Sequence, residues 1–157
     1  MKINKPKKIV VADIGTGNGV PGIIWAILEP NLDVVLIEKI LKKIAFLNHA
    51  IGSLDLGERV ITIHNDVRNI RQQNFDVIVS RAFSDCLKFL SFTEEITSKN
   101  ALWMIMTTVS KSLNVNQNSL DKINFEVIDK KPIFIDKNVS SKEIVFFKKL
   151  LRKHIKK

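Results

Sequence analysis

Val10-Val11-Ala12-Asp13-Ile14-Gly15-Thr16-Gly17-Asn18-Gly19-Val20-Pro21-Gly22 decides how this chain is read. An apolar, β-branched run, which suits a strand, stops at a glycine-dense turn. An apolar segment of helical character follows. Gly15, Gly17 and Gly19 admit positive φ and let a ligand approach the backbone without meeting a Cβ. Pro21 falls early in the next segment, where a missing N–H costs nothing and φ is already helical. Strand, tight turn and helix N-terminus together predict a backbone cradle for a polar, nucleotide-like ligand at the end of a parallel strand.

Outward from that turn, strand-like and helix-like segments alternate. Strands are expected over 8–14, 33–38, 59–64, 75–80 and 101–107, with helices over 20–28, 40–53 and 85–97. In the second helix Ile40, Ile44, Leu47, Ala50 and Ile51 repeat at helical spacing, while Lys42, Lys43, Asn48 and His49 point elsewhere. Nearly continuous apolar runs such as Val34-Val35-Leu36-Ile37 and Val77-Ile78-Val79 suit strands buried on both faces. The alternation predicts an α/β fold with a doubly wound, mostly parallel sheet and right-handed crossovers. Segment 66–74 is short for a crossover helix, and 108–124 reads as helix or loop. Segments 125–129 and 144–149 read as a C-terminal antiparallel strand pair. The whole of 1–157 is expected to be a single domain with a basic tail over 148–157, either a helix touching phosphates or a solvated end.

The chain carries 25 Lys and Arg against 16 Asp and Glu, a formal net charge of +9. Such a balance suits a polyanionic partner, RNA or DNA, although a basic surface also serves solubility. A lone cysteine, Cys86, excludes an internal disulfide and a cysteine metal cluster, and a reducing cytoplasm is expected. No run reaches the roughly 20 apolar residues of a membrane helix, and no apolar core of a signal peptide follows Met1. The expectation is a cytoplasmic monomer.

Two acids sit at informative places. Asp13 ends the first strand, and Glu38 ends the second about twenty residues beyond the glycine turn, where a carboxylate can accept both ribose hydroxyls of an adenosine. Asp66 follows the third strand and can meet an adenine amino group, or simply make an Asx turn. The spacing Gly17-x-Gly19-x-x-Gly22 also matches a dinucleotide fingerprint, so a nicotinamide-dependent oxidoreductase stays open as an alternative. His49, His64 and His154 lack metal-ligand spacing, and no metal is expected.

The register Asp13-x-Gly15-x-Gly17-x-Gly19 is that of S-adenosylmethionine-dependent methyltransferases of class I, which are Rossmann-like. Asp13-Ile-Gly-Thr-Gly-Asn-Gly-Val-Pro-Gly-Ile23 resembles the motif of the RsmG (GidB) family, bacterial enzymes that methylate guanine N7 in small-subunit ribosomal RNA. Lys42-Lys43-Ile44-Ala45-Phe46-Leu47 resembles that family's helix after its ribose-binding acid, and Phe75-Asp76-Val77-Ile78-Val79-Ser80-Arg81-Ala82-Phe83 its strand-four segment. The resemblance implies S-adenosyl-L-methionine as cofactor and 16S rRNA of the small subunit as partner. It implies that Gly15 and Val20 line the methionine end of the cofactor and Gly17 shapes the turn. Glu38 then meets the ribose, Val67 and Arg68 the adenine region, mostly through backbone and packing, and Arg81 the pocket beside the reaction centre. Lys42, Lys43, the amino-terminal lysines and the tail are candidates for RNA phosphates. No catalytic residue is assigned.

Two departures accompany the resemblance. Members of the family carry a helical extension ahead of the glycine motif, so the present start implies a fragment, a late-assigned start or a decaying gene. A Lys-Gly pair follows their fifth strand, where this chain has Met104-Ile105-Met106-Thr107-Thr108. A non-catalytic remnant that still binds cofactor or RNA is therefore a further alternative.

Overall fold

The computed structural model describes residues 8–71, 73–81, 85–112, 115–135 and 138–150, of which 111–112, 134–135 and 138–140 are described as backbone only. Ala82, Phe83, the amino-terminal lysines before Lys8 and the tail beyond Leu150 lie outside the described residues. In chain order the elements are β1 Ile9–Ile14, α1 Gly22–Leu28, β2 Leu32–Glu38, α2 Leu41–Ser53, β3 Val60–His64, β4 Phe75–Arg81 and α3 Cys86–Thr93. They continue with β5 Thr97–Thr108, α4 Val109–Ser112, α5 Gln117–Lys122, β6 Phe125–Ile135 and β7 Asn138–Lys149.

One seven-stranded sheet runs in the order β3-β2-β1-β4-β5-β7-β6. Strands β1 to β5 pair in parallel, and β7 runs antiparallel between β5 and β6. Helices cover both faces, as the apolar runs predict. On one face Ile23 and Ala26 of α1 and Ile44, Leu47 and Ile51 of α2 pack on Val11, Val34, Leu36 and Val79. On the other, Phe89 and Leu90 of α3 and Leu120 of α5 pack on Ile14, Ile37, Ile78, Trp103 and Phe147. The doubly wound, Rossmann-like architecture with its antiparallel finish is the one expected. Its strand order reverses beside β1, and in open α/β sheets a ligand crevice forms where that happens, beyond the carboxyl ends of the strands.

Elsewhere the boundaries move, each time for a local reason. The expected helix over 85–97 ends at Thr93, followed by a 3₁₀ turn, Glu94–Ile96, and β5 starts at Thr97 instead of 101. Thr93 turns its hydroxyl back to the Phe89 carbonyl (2.8 Å) and accepts the Trp103 indole N–H (2.8 Å), which fixes the helix end against the sheet. Segment 66–74 holds a single 3₁₀ turn, Val67–Asn69, and 108–124 holds the short helices α4 and α5. The final strands are much longer than their apolar cores suggest. β6 runs through Pro132, which an outermost strand tolerates because half of its N–H groups need no ladder partner.

Candidate functional site

The glycine turn is closed from within by Asp13. This side chain is fully buried, and its Oδ2 accepts the Thr16 hydroxyl at 2.7 Å and the Gly22 N–H at 2.9 Å. Burial raises its pKa above the ordinary carboxylate value, while those two hydrogen bonds and the charge of Arg81 pull the other way. Oδ1 has no hydrogen-bond partner among the described residues. Outside the turn, Gly15 and Thr16 both donate to the Ile37 carbonyl (2.8 and 3.3 Å), and the buried Ser80 hydroxyl donates to the Ile14 carbonyl at 2.9 Å. The last residue of β1 is thereby held from β2 and β4 together.

The expected positive φ angles occur, at +65° for Gly15, +64° for Gly17 and +83° for Gly19. Two glycines are required for different reasons. A side chain on Gly15 would meet nothing within 4 Å, so its conformation, and not crowding, excludes larger residues, and the space above it is open. A Cβ on Gly22 would stand 2.5 Å from Leu36 Cδ2 and 2.9 Å from Asp13 Oδ2, so close packing of α1 on the sheet demands its absence. Pro21 is the residue that caps α1, joined to Val20 by a cis peptide bond.

Glu38 closes the turn from outside. Its side chain is 5% exposed. Oε1 accepts the N–H groups of Lys39 (3.0 Å) and Ile40 (3.1 Å), and Oε2 accepts that of Gly17 (3.1 Å). Lys43 Nζ lies 3.7 Å from Oε2, an ion pair longer than a hydrogen bond. Glu38 thus joins the glycine turn to the start of α2, a role the sequence reading does not contain.

A cleft of about 320 Å³ opens beyond the ends of β1, β2 and β3. It is lined by Ile14 and Gly15, by Ile37 to Lys39, by Asn65 to Arg68, and by Asp85, Lys88 and Phe92. Of the residues singled out from sequence, Gly15, Glu38, Asp66, Val67 and Arg68 meet here. Gly17 serves through its bond to Glu38, Val20 is exposed and not one of the lining residues, and Arg81 lies exposed at the end of β4, close enough to act on the Asp13 carboxyl. Asp66 forms the anticipated Asx turn, accepting Arg68 N–H at 3.0 Å, and also grips the Arg68 guanidinium at 2.9 and 2.6 Å. Those bonds hold its carboxyl down to about 2.

The wall made by α3 escapes the sequence reading. Asp85, Lys88 and Phe92 stand three and four residues apart, one stripe of a helix, and that spacing after a parallel strand is the available signal. Asp85 also caps α3 by accepting Lys88 N–H at 3.1 Å. Neighbouring Cys86 is half-buried, and burial followed by the charge of Asp85 pushes its thiol up to about 12, so it carries no nucleophilic thiolate at neutral pH. Among the described residues no three His, Cys, Asp or Glu side chains gather to hold a metal ion, and no helix is long and apolar enough to cross a membrane.

Comparison with known proteins bears on this arrangement. A protein from Legionella pneumophila (strain Corby), named Ribosomal RNA small subunit methyltransferase G, is 38% identical over 97 residues, covering 61% of this chain and 46% of that protein. A protein of the same name from Laribacter hongkongensis is 31% identical over 121 residues, covering 77% of this chain and 58% of its own length. The chain thus spans about half the length of the curated relatives it matches. Among solved structures, a SAM dependent methyltransferase from Aquifex aeolicus superposes with a TM-score of 0.68 at 15% identity, covering 92% of this chain and 84% of that one. M. jannaschii TYW2 in complex with AdoMet gives 0.67 at 20% identity, covering 91% and 68%. These two share the fold. The family model GidB, rRNA small subunit methyltransferase G, matches residues 1–144, and the chain belongs to that family.

Proposed function

We propose that this chain binds S-adenosyl-L-methionine in the cleft and directs its methyl group to N7 of a guanine in 16S rRNA of the small ribosomal subunit. The observation that carries this reading is the open space above Gly15, continuous with a cleft that also presents Glu38 and the Asp66–Arg68 turn. A nucleoside with a charged side chain fits such a place: bare backbone at one end, carboxylates and a partly apolar wall at the other.

In this reading Gly15 and Val20 border the methionine portion, and Gly17 holds the turn in shape through Glu38. Glu38 offers the acceptor position left open by its three backbone bonds to a ribose hydroxyl. Val67, with the backbone of Asp66 and Arg68, packs against the adenine, and Arg81 holds the methionine carboxylate by a charge-assisted contact. The bound cofactor supplies an electrophilic methyl on sulfur. Guanine N7 exposes a lone pair, so its attack requires no general base from the chain. What the residues contribute is orientation, fixing donor and acceptor in line at near-attack distance. Lys42 and other basic side chains contribute to holding the RNA, and binding should weaken steeply with salt. The place of action is the cytoplasm, on the ribosomal subunit or its RNA.

Thermal shift with S-adenosylhomocysteine against NAD tests the cofactor, and stabilisation by NAD alone would overturn this reading in favour of an oxidoreductase. Tritiated methyl incorporation into small subunits from a strain lacking the modification tests the reaction. Cofactor binding without incorporation would leave a binding remnant.

A further inference from the structure

The sequence counts Lys43 among the candidates for RNA phosphates, yet its ammonium sits at the cradle. It lies 3.7 Å from Glu38 Oε2 and 3.9 Å from where a Cβ on Gly17 would stand, so it overhangs the glycine turn. A carboxylate offers about four acceptor positions. Three on Glu38 are taken by backbone N–H groups at 3.0–3.1 Å, which cannot leave without opening the turn or the start of α2. The fourth carries only the long pair to Lys43, whose side chain is 42% exposed and free to swing. Lys43 also stands, with Lys42, in the first turn of a 13-residue helix that has no acidic residue there. Cations at a helix N-terminus oppose the helix dipole, and Glu38 is the carboxylate paired with Lys43 there.

We infer that Lys43 is an exchangeable cation shared by the two ligands, an inference that rests on the cofactor reading above. Without cofactor it neutralises the fourth acceptor position of Glu38. A ribose hydroxyl takes that position and displaces the ammonium outward, where, beside Lys42 and without its carboxylate, it takes an RNA phosphate. Cofactor and RNA then bind cooperatively, and the coupling must be reciprocal.

The test uses the full chain with S-adenosylhomocysteine and a short single-stranded RNA of mixed sequence, by calorimetry and fluorescence anisotropy at low salt. In the unaltered chain, saturating S-adenosylhomocysteine should tighten RNA binding about fivefold, and RNA should tighten S-adenosylhomocysteine by the same factor. Lys43→Met should abolish the coupling while binding S-adenosylhomocysteine at least as tightly, and Lys43→Arg should retain it. The 2′-deoxy analogue of S-adenosylhomocysteine should couple less. Coupling that survives in Lys43→Met, weaker S-adenosylhomocysteine binding in that variant, or no coupling in the unaltered chain would each overturn the inference and leave the cofactor assignment standing. An unaltered chain that does not bind S-adenosylhomocysteine would remove both.

Discussion

Asp13 and Glu38 hold the same turn from opposite sides and do so under different conditions. Asp13 lies beneath it, sealed from solvent, with one oxygen accepting two hydrogen bonds and the other without a partner among the described residues. Glu38 lies across it with both oxygens engaged and an exposed cation alongside. The first is a structural anchor whose charge is costly to keep in an apolar setting. The second stays in communication with the cleft. The turn is therefore fixed from below and adjustable from outside, which is what a cradle that must accept and release a ligand requires.

The largest expected effect is on the inner anchor. Asp13→Ala removes the acceptor for Thr16 and Gly22 and should cost about 2–4 kcal/mol in urea unfolding. Asp13→Asn, which keeps an acceptor but does not titrate, should cost less and lack the pH dependence that Asp13 confers. Because burial raises the native pKa of Asp13, its contribution to stability is fully present below the unfolded value of 3.8 and is lost as pH rises through the raised native value. The deficit of Asp13→Asn relative to the unaltered chain should therefore narrow as pH rises above 3.8, and a deficit that widens would contradict the assignment.

Next comes Gly22→Ala, which drives a methyl group against Leu36 and Asp13 and should destabilise by about 1–3 kcal/mol. Glu38→Ala should cost less stability, about 1–2 kcal/mol as for a lost cap, but should weaken S-adenosylhomocysteine binding on the order of tenfold or more. If Asp13→Asn and Glu38→Ala had equal effects on binding, the division between anchor and contact would fail. The smallest effect belongs to Asp66→Asn on the cleft rim. Asp66 sits at about 2, below its ordinary 3.8, so its stabilisation is present above 3.8 and lost as pH falls toward 2. The variant should match the unaltered chain least well at neutral pH and converge with it in acid, by a margin that solvent screening keeps small.

The parallel half of the fold was legible because its strands are buried on both faces and read as unbroken apolar runs. β1, β2 and β4 fall within two residues of expectation, and the periodicity of Ile44, Leu47 and Ile51 marks α2 directly. The β6–β7 hairpin was half hidden, since Glu126, Lys130 and Lys131 interrupt the apolar residues of β6 and Pro132 reads as a break. Edge position, a property of the sheet and not of the segment, permits it. For the site, spacing located Glu38 and Asp66 at strand ends. It did not reveal that backbone N–H groups already fill most of Glu38, because Gly17 reaches it across 21 residues. Nor did it place Lys43, since helical periodicity says which residues face away from the core without saying what they meet there.

The two tryptophans of the chain stand on opposite sides of the sheet. Trp103 is sealed on the α3 face, edge-on to Phe125 at 4.9 Å and 84°. Trp25, partly buried, rides on α1 next to the cradle. The molecule thus carries one native fluorophore for each face: Trp103 emits from an apolar site and reports on the core as a whole, whereas Trp25 is placed to sense the helix that the glycine turn launches.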